Sequence, residues 1–264
     1  MNLLNKEILL VDKPAGLSSF AVVARIRRVL TEEVKAQAVS QGLTPPKRAK
    51  VGHAGTLDPF ATGLLICLLG SGTKKASEFL KLDKRYEATI CLGKTSTTGD
   101  IEGEISEYDF SSETPRAASV VTEVAARSGA RPLARLCSPE KCIPEVSRIQ
   151  SVIESFKGEI LQKVPAYSAV KIEGKRAYDL ARKGVEVGMP TRKVQIYDIA
   201  VVSYEWPELK ISCHVSSGTY IRALGEDIGE KLGVGGYLTE LRRTQIGEYK
   251  VSDAVKLSDL GITD

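Results

Sequence analysis

The densest chemistry in this 264-residue sequence lies in Gly52-His53-Ala54-Gly55-Thr56-Leu57-Asp58-Pro59-Phe60-Ala61-Thr62-Gly63. Glycines at 52, 55 and 63 mark a backbone that turns sharply or closely approaches a ligand. Pro59 biases Asp58 toward an extended conformation, so one carboxylate is held on a loop beside an imidazole, just ahead of an apolar run. Loops on rigid scaffolds are where catalytic groups usually sit. The plainer alternative is that Asp58 caps a turn and His53 packs.

Two further clusters carry polar chemistry. Ser216-Ser217-Gly218-Thr219-Tyr220-Ile221-Arg222 falls between an expected strand and an expected helix, where backbone amides and hydroxyls can face an anion. Arg222 lies in the first turn of that helix, where a cation meets an unfavourable dipole. An acidic group should compensate; Asp58 is one candidate and Glu226, four residues on, is another. Lys84-Arg85-Tyr86 sets two cations before an aromatic at a strand start, which suits a stacked base and its phosphate, or simply a half-buried strand tyrosine. Leu241-Arg242-Arg243 joins an apolar side chain to two phosphate-binding candidates or to a solvated face.

Other chemistries are excluded by spacing. There is no GxxxxGK[ST], and Gly70-Ser71-Gly72-Thr73-Lys74 lacks the spacing of a phosphate-cradling loop. No acid follows two residues after Asp58 for aspartyl phosphotransfer, and no nucleophile elbow accompanies the histidines. Five cysteines without a CxxC pair and only two histidines argue against a zinc site, so no metal is implied. Cys137 and Cys142 read as reduced thiols of a cytoplasmic protein. The longest apolar run, Leu64 to Leu69, is far short of the roughly 20 residues a bilayer needs, and no signal peptide is visible.

The elements that must position these residues read as follows. Ile8–Val11 is a short buried strand, and Ser18 or Ser19 caps a helix to about Ala38, with Val22, Val23, Ile26, Val29 and Leu30 on one face. Gln41–Lys50 is a basic loop. A short helix is expected near Lys74–Leu82, a strand over Tyr86–Leu92, helices over Val146–Phe156, Lys175–Lys183 and Thr219–Leu232, and strands over Val194–Tyr204, Leu209–Ser216 and Thr244–Val251. Residues 106–144 read as a mobile insertion, with a helix near Val120–Arg127. Strands and helices without a regular βαβ rhythm predict an α+β fold on a mainly antiparallel mixed sheet, in one catalytic domain spanning 1–264. Residues 1–100 carry 15 Lys+Arg against 9 Asp+Glu, whereas the rest carry 22 against 24. A basic N-terminal part suits a polyanionic partner such as nucleic acid.

Six blocks, in order, resemble the TruB family of tRNA pseudouridine synthases: Leu10-Val11-Asp12-Lys13-Pro14-Ala15-Gly16, Gly52 to Pro59, Lys84-Arg85-Tyr86, Val164 to Lys171 with Gly174, Gly218 to Arg222, and Leu241-Arg242-Arg243. The resemblance implies the pseudouridine synthase fold, with helices and RNA-gripping loops flanking the sheet. It also implies isomerisation of the T-loop uridine (position 55 of tRNA) to pseudouridine without a cofactor. The tRNA T-arm is then the partner, with neither membrane nor metal, and the enzyme acts as a monomer in the cytoplasm. Asp58 matches the nucleophile, which attacks either the ribose or the uracil ring. Tyr86 matches the tyrosine that lies against the base and serves the later removal of the C5 proton. Arg222 matches the arginine that pairs with the catalytic carboxylate. Tyr220 and Leu241 match the lining of the base pocket, His53 the histidine that holds the T-loop open around a flipped nucleotide, and Lys13 completes the substrate-binding set. A stacked uridine must leave its loop to react, at a cost of about a few kcal/mol.

The sequence also departs from the family pattern. Thr97 stands where an aspartate is usual, leaving Asp100 as the carboxylate of that turn. The 41–50 and 106–144 segments are longer than usual, the second falling near the thumb that grips tRNA in relatives. No C-terminal RNA-binding domain is expected after residue 264. Two alternatives stand beside the synthase reading: a non-catalytic protein that binds and refolds tRNA, and a guide-RNA-dependent synthase of the dyskerin type.

Overall fold

The computed structural model describes residues 3–109, 143–168, 170–172, 175–176 and 188–262. In chain order the elements are β1 (Ile8–Lys13), α1 (Ser19–Ser40), β2 (Val51–His53), β3 (Thr62–Leu69), α2 (Ala76–Lys81), β4 (Lys84–Leu92), β5 (Lys94–Ser96) and β6 (Ile105–Glu107). There follow α3 (Val146–Glu154), β7 (Gly158–Lys163), β8 (Lys171–Ile172), β9 (Lys175–Arg176), β10 (Thr191–Glu205), β11 (Glu208–Val215), α4 (Ile221–Leu232), β12 (Gly236–Ile246) and β13 (Tyr249–Lys250). The chain divides into two compact units, Met1–Tyr86 with Leu241–Asp264, and Glu87–Glu240. The second is inserted into the sequence of the first, and β4 and β12 each contribute residues to both.

The first unit is organised by β3, whose Leu64–Leu69 run is buried throughout. Alternate side chains of a strand face opposite sides. Leu65, Cys67 and Leu69 therefore meet β1 and the apolar stripe of α1 (Val22, Val23, Ile26, Leu30), while Leu64, Ile66 and Leu68 join Ala54, Phe79 and Ile246. Burial of each such aliphatic side chain contributes roughly 1.5–3 kcal/mol. Strand β3 pairs antiparallel with β1 and β2, and its first residues pair parallel with β12, Thr62 opposite Arg242 and Gly63 opposite Arg243. Gly63 is required there: its φ is +98°, and a Cβ would stand 2.3 Å from the Arg243 carbonyl oxygen. At the start of α1, Ser18 is the cap, its Oγ accepting the Ala21 N–H at 3.1 Å.

In the second unit β10 runs antiparallel between β11 and β7, and β4 lies between β12 and β11. Helix α3 buries Ile149 and Ile153, and α4 buries Leu224 and Ile228. Helix α4 also presents Gly229 so closely to the Gly235 backbone that a Cβ there would meet its carbonyl carbon at 2.3 Å. An α+β fold on a mainly antiparallel mixed sheet is thus what the chain forms.

The expected elements differ in places. Lys175–Arg176, expected to open a helix, instead pairs antiparallel with Lys171–Ile172, because cross-strand hydrogen bonding overrides local helix propensity. The rest of that helix, the helix near Val120–Arg127, Cys137, Cys142 and most of the 106–144 insertion lie outside the described residues. Helix α4 begins at Ile221 rather than Thr219, and the strand expected over Thr244–Val251 is a longer β12 that turns at Gly247 into β13.

Candidate active site

The loop from Ala54 to Ala61 joins β2 to β3 and carries Asp58, which is half-buried. It is fastened on both sides of that residue. The Ala54 N–H donates to the Ile66 carbonyl at 2.9 Å. Arg243, itself 1% exposed, donates from Nη2 to the Gly55 carbonyl (3.0 Å), from Nη1 to the Thr56 carbonyl (3.4 Å) and from Nε to the Leu64 carbonyl (2.8 Å). The buried Ser19 hydroxyl accepts the Leu57 N–H at 2.8 Å and donates to the Leu57 carbonyl at 2.9 Å. Beyond Asp58, the Pro59 carbonyl accepts from Lys13 Nζ (3.0 Å) and from the Gly16 N–H (2.9 Å), and the Ala61 N–H closes the turn onto the Asp58 carbonyl at 3.2 Å. Buried backbone groups must be paired, and here each pairing also fixes where the carboxylate stands.

Two buried lysines belong to the same unit as this loop. Lys13 is fully buried, and its Nζ also donates to the carbonyls of Pro14 (2.8 Å) and Leu17 (2.6 Å). Lys84 is buried too, donating to the Leu80 carbonyl at 2.9 Å and to that of Leu82. Burial, reinforced by the Arg243 charge, pushes the Lys84 ammonium down from 10.5 to about 8. Burial and, next, the same Arg243 charge hold the half-buried His53 imidazole below its ordinary 6.5, against a weaker opposing contribution from the Gly55 backbone. Tyr86 and Leu241 belong to the same unit and are both buried, and the Leu241 carbonyl accepts from Thr62 Oγ1 at 3.5 Å. Arg242 is held by Asp12 through Nη2 (2.8 Å) and Nη1 (3.1 Å). Of the two phosphate-binding candidates at 242 and 243, then, one is paired with an acid and the other is buried under the loop.

Tyr220 and Arg222 belong to the second unit. Tyr220 occupies the N-cap position of α4; its N–H donates to Gln162 Oε1 (2.8 Å), and its carbonyl accepts from Gln162 Nε2 (3.0 Å). Gln162 has no exposed surface, and the Arg192 guanidinium stands 5.8 Å from the Tyr220 ring centre. Arg222 meets a carboxylate of its own unit: Nη1 lies 3.2 Å from Asp100 Oδ2, both side chains being nearly fully buried. Its nitrogens also donate to the carbonyls of Thr98 and Tyr167, each at 2.9 Å. Asp100 is held in turn by Thr98 Oγ1 (2.6 Å) and the Glu102 N–H (3.0 Å). Thr97 is exposed and builds the β5–β6 turn, its hydroxyl accepting the Glu104 N–H at 3.0 Å. Asp100, whose role the Thr-rich turn left open, is therefore a partner of Arg222, while Asp58 lies in the other unit.

Sequence reasoning missed Ser19, Arg243 and Gln162 as positioning residues. Each is polar and nearly free of solvent exposure, against the usual trend for its residue type. Among the described residues no group of three or more His, Cys, Asp or Glu side chains is placed to hold a metal ion, and no helix is long and apolar enough to cross a membrane.

Comparison with known proteins gives a consistent picture. The profile of the TruB family pseudouridylate synthase N-terminal domain matches residues 44–133 and 134–221, and that of the tRNA pseudouridylate synthase B C-terminal domain matches 222–262. A protein of Corynebacterium diphtheriae named tRNA pseudouridine synthase B is 39% identical over 257 residues, covering 96% of this chain and 71% of that protein. One of the same name from Bacteroides fragilis is 38% identical over 255 residues, covering 97% and 92% respectively. Among solved structures, a chain of a Cbf5-Nop10-Gar1 complex is 27% identical with a TM-score of 0.59. That match takes in 96% of this chain but only 52% of the other. The fastened aspartate loop and the buried Arg222–Asp100 pair thus sit in a sequence matched almost end to end by one set of relatives, and the chain belongs to the TruB family of pseudouridylate synthases.

Proposed function

We propose that the protein isomerises the T-loop uridine at position 55 of tRNA to pseudouridine, with Asp58 as the nucleophile. The observation that carries this reading is the loop itself, in which Gly55, Thr56, Leu57 and Pro59 are all pinned while the Asp58 side chain is left half-buried at its centre. A backbone so pinned limits the reorganisation needed when the carboxylate reacts. The reaction breaks the bond from ribose C1′ to uracil N1, forms one from C1′ to C5, and releases the C5 proton as N1 gains one. No electrons are exchanged and no cofactor is consumed.

In this reading Tyr86 lies against the base and serves removal of the C5 proton, and Arg222 is the guanidinium of the catalytic set. His53, Tyr220 and Leu241 contact the flipped nucleotide and its loop. Lys13 belongs with the substrate-binding set through the loop it holds, since its ammonium faces the carbonyls of Pro14, Leu17 and Pro59. Both units serve this one activity, in a cytoplasmic monomer whose partner is the tRNA T-arm.

The test is tritium release from C5-labelled uridine in an unmodified tRNA transcript, with wild type and Asp58→Asn side by side. Release by wild type alone is expected. Equal turnover by both would remove Asp58 from the mechanism, and bound tRNA without release from either would favour a refolding role. Release that needs an added guide RNA would favour the guide-dependent reading.

A further inference from the structure

Away from the Asp58 loop, the first unit has an open cleft of about 450 Å3 between the N-terminal segment, α1 and the basic 41–50 loop. It is backed by the buried Leu3, Leu30 and Leu69 and the half-buried Val34. Lys6, Arg48 and Lys50 also line it and are exposed, and among the described residues no ion pair neutralises any of the three. The acid among the lining residues, Glu7, is already taken by Lys75 Nζ at 2.7 Å and by the Ser71 hydroxyl at 2.5 Å.

The basic loop is fastened where it meets the unit. The Ala49 N–H donates to Thr31 Oγ1 of α1 at 3.1 Å, and the Lys50 carbonyl accepts the Gly70 N–H at 2.9 Å. Tying down Ala49 leaves its neighbours Arg48 and Lys50 facing outward. Arg27, which donates to the Val51 carbonyl at 2.7 Å, lies near enough to Arg48 for the two guanidiniums to repel. Like charges gathered at a fixed place, where the one lining acid is already paired with Lys75, form a site for an anion that the protein does not itself supply.

We propose that this cleft is a second RNA contact, in which Arg48 and Lys50, with Lys6, hold backbone phosphates of the tRNA substrate. The proposal rests on the tRNA reading above and extends it: the 41–50 loop anchors the substrate at a place separate from the Asp58 loop. Its contribution is to affinity, and the chemical step is untouched once RNA is bound.

Each phosphate neutralised on a nucleic acid contributes about 0.7–0.9 to the slope of log affinity against log salt. Loss of two contacts should lower the slope by about 1.6, so that between 50 and 200 mM salt the wild type loses roughly ninefold more affinity than the variant. The experiment measures tRNA binding across that salt range and single-turnover tritium release at saturating tRNA. It compares the full-length wild type, Arg48→Ala/Lys50→Ala, and a control of equal charge loss, Lys210→Ala/Lys256→Ala. A shallower slope and weaker binding for the loop variant alone, with unchanged release at saturation, is the expected result. A slope equal to that of the control, or a fall in saturated release, overturns the proposal. A wild type that binds tRNA but releases no tritium would instead count against the reading of the Asp58 loop, so the two failures are distinct.

Discussion

Ser19→Ala isolates the idea that the Asp58 carboxylate is placed by its neighbours. The substitution deletes one hydroxyl in a site 1% exposed and leaves both the N–H and the carbonyl of Leu57 without their partner. A buried polar group left unsatisfied costs about 1–3 kcal/mol, so the two amount to roughly 2–6 kcal/mol of local stability. Any shift of the loop that re-pairs these groups carries Asp58 with it. A displacement of about 1 Å at a reacting group can cost on the order of 100-fold in rate. Single-turnover tritium release should therefore fall between about 10- and 100-fold, with tRNA Kd within about twofold of wild type. Ser18→Ala is the control one residue away, removing the α1 cap at a cost of about 1 kcal/mol without touching the loop. If Ser19→Ala turns over within twofold of wild type, or Ser18→Ala falls equally far, the hydrogen bonds to Leu57 do not place Asp58.

Three further outcomes are expected. Because the Lys84 ammonium titrates near 8 in the folded protein and near 10.5 when unfolded, the unfolded chain binds more protons between those values. Wild-type stability should thus rise with pH across that window, and Lys84→Met should flatten the rise in denaturant titrations; identical slopes would refute it. Asp100→Ala removes the Asp100 carboxylate from the buried Arg222 and should destabilise the second unit by about 3–5 kcal/mol. The single tryptophan, Trp206, lies in that unit and reports its unfolding by fluorescence; a loss under about 1 kcal/mol would show the pair to be dispensable. Of the two histidine signals in a proton NMR titration, that of His53 should move below pH 6.5, and its contribution to stability should fall as pH drops through that region. A His53 midpoint at or above 6.5 would contradict its burial beside Arg243.

How much of this was legible in the sequence depended on the range of the interactions. Helix α1 and the buried β3 strand were readable because their signals are local: a capping serine, a 3.6-residue stripe and an uninterrupted aliphatic run. Lys175–Arg176 misled because its residues favour a helix, whereas its pairing with Lys171–Ile172 sets the outcome. The residues around Asp58 were recognisable as a loop built for close approach, but the clamps were not. Arg243 reaches Gly55 across 188 positions and Arg222 reaches Thr98 across 124, and no periodicity records such distances. Arginine and lysine are ordinarily surface residues, so composition points outward just where Lys13, Lys84 and Arg243 turn inward. The Thr97 position illustrates the reverse: the missing carboxylate stood out in the sequence, while the structural answer lay three residues further along, at Asp100.

The span between Gly55 and Arg243 also sets a schedule. A ribosome adding about 5–20 residues per second needs roughly 10–40 s to pass from one to the other. Throughout that interval the nascent chain already displays Asp58, yet the guanidinium that seats the Gly55 and Thr56 carbonyls has not been synthesised. The clamp on the Gly55 and Thr56 carbonyls is therefore among the last contacts the growing chain can complete.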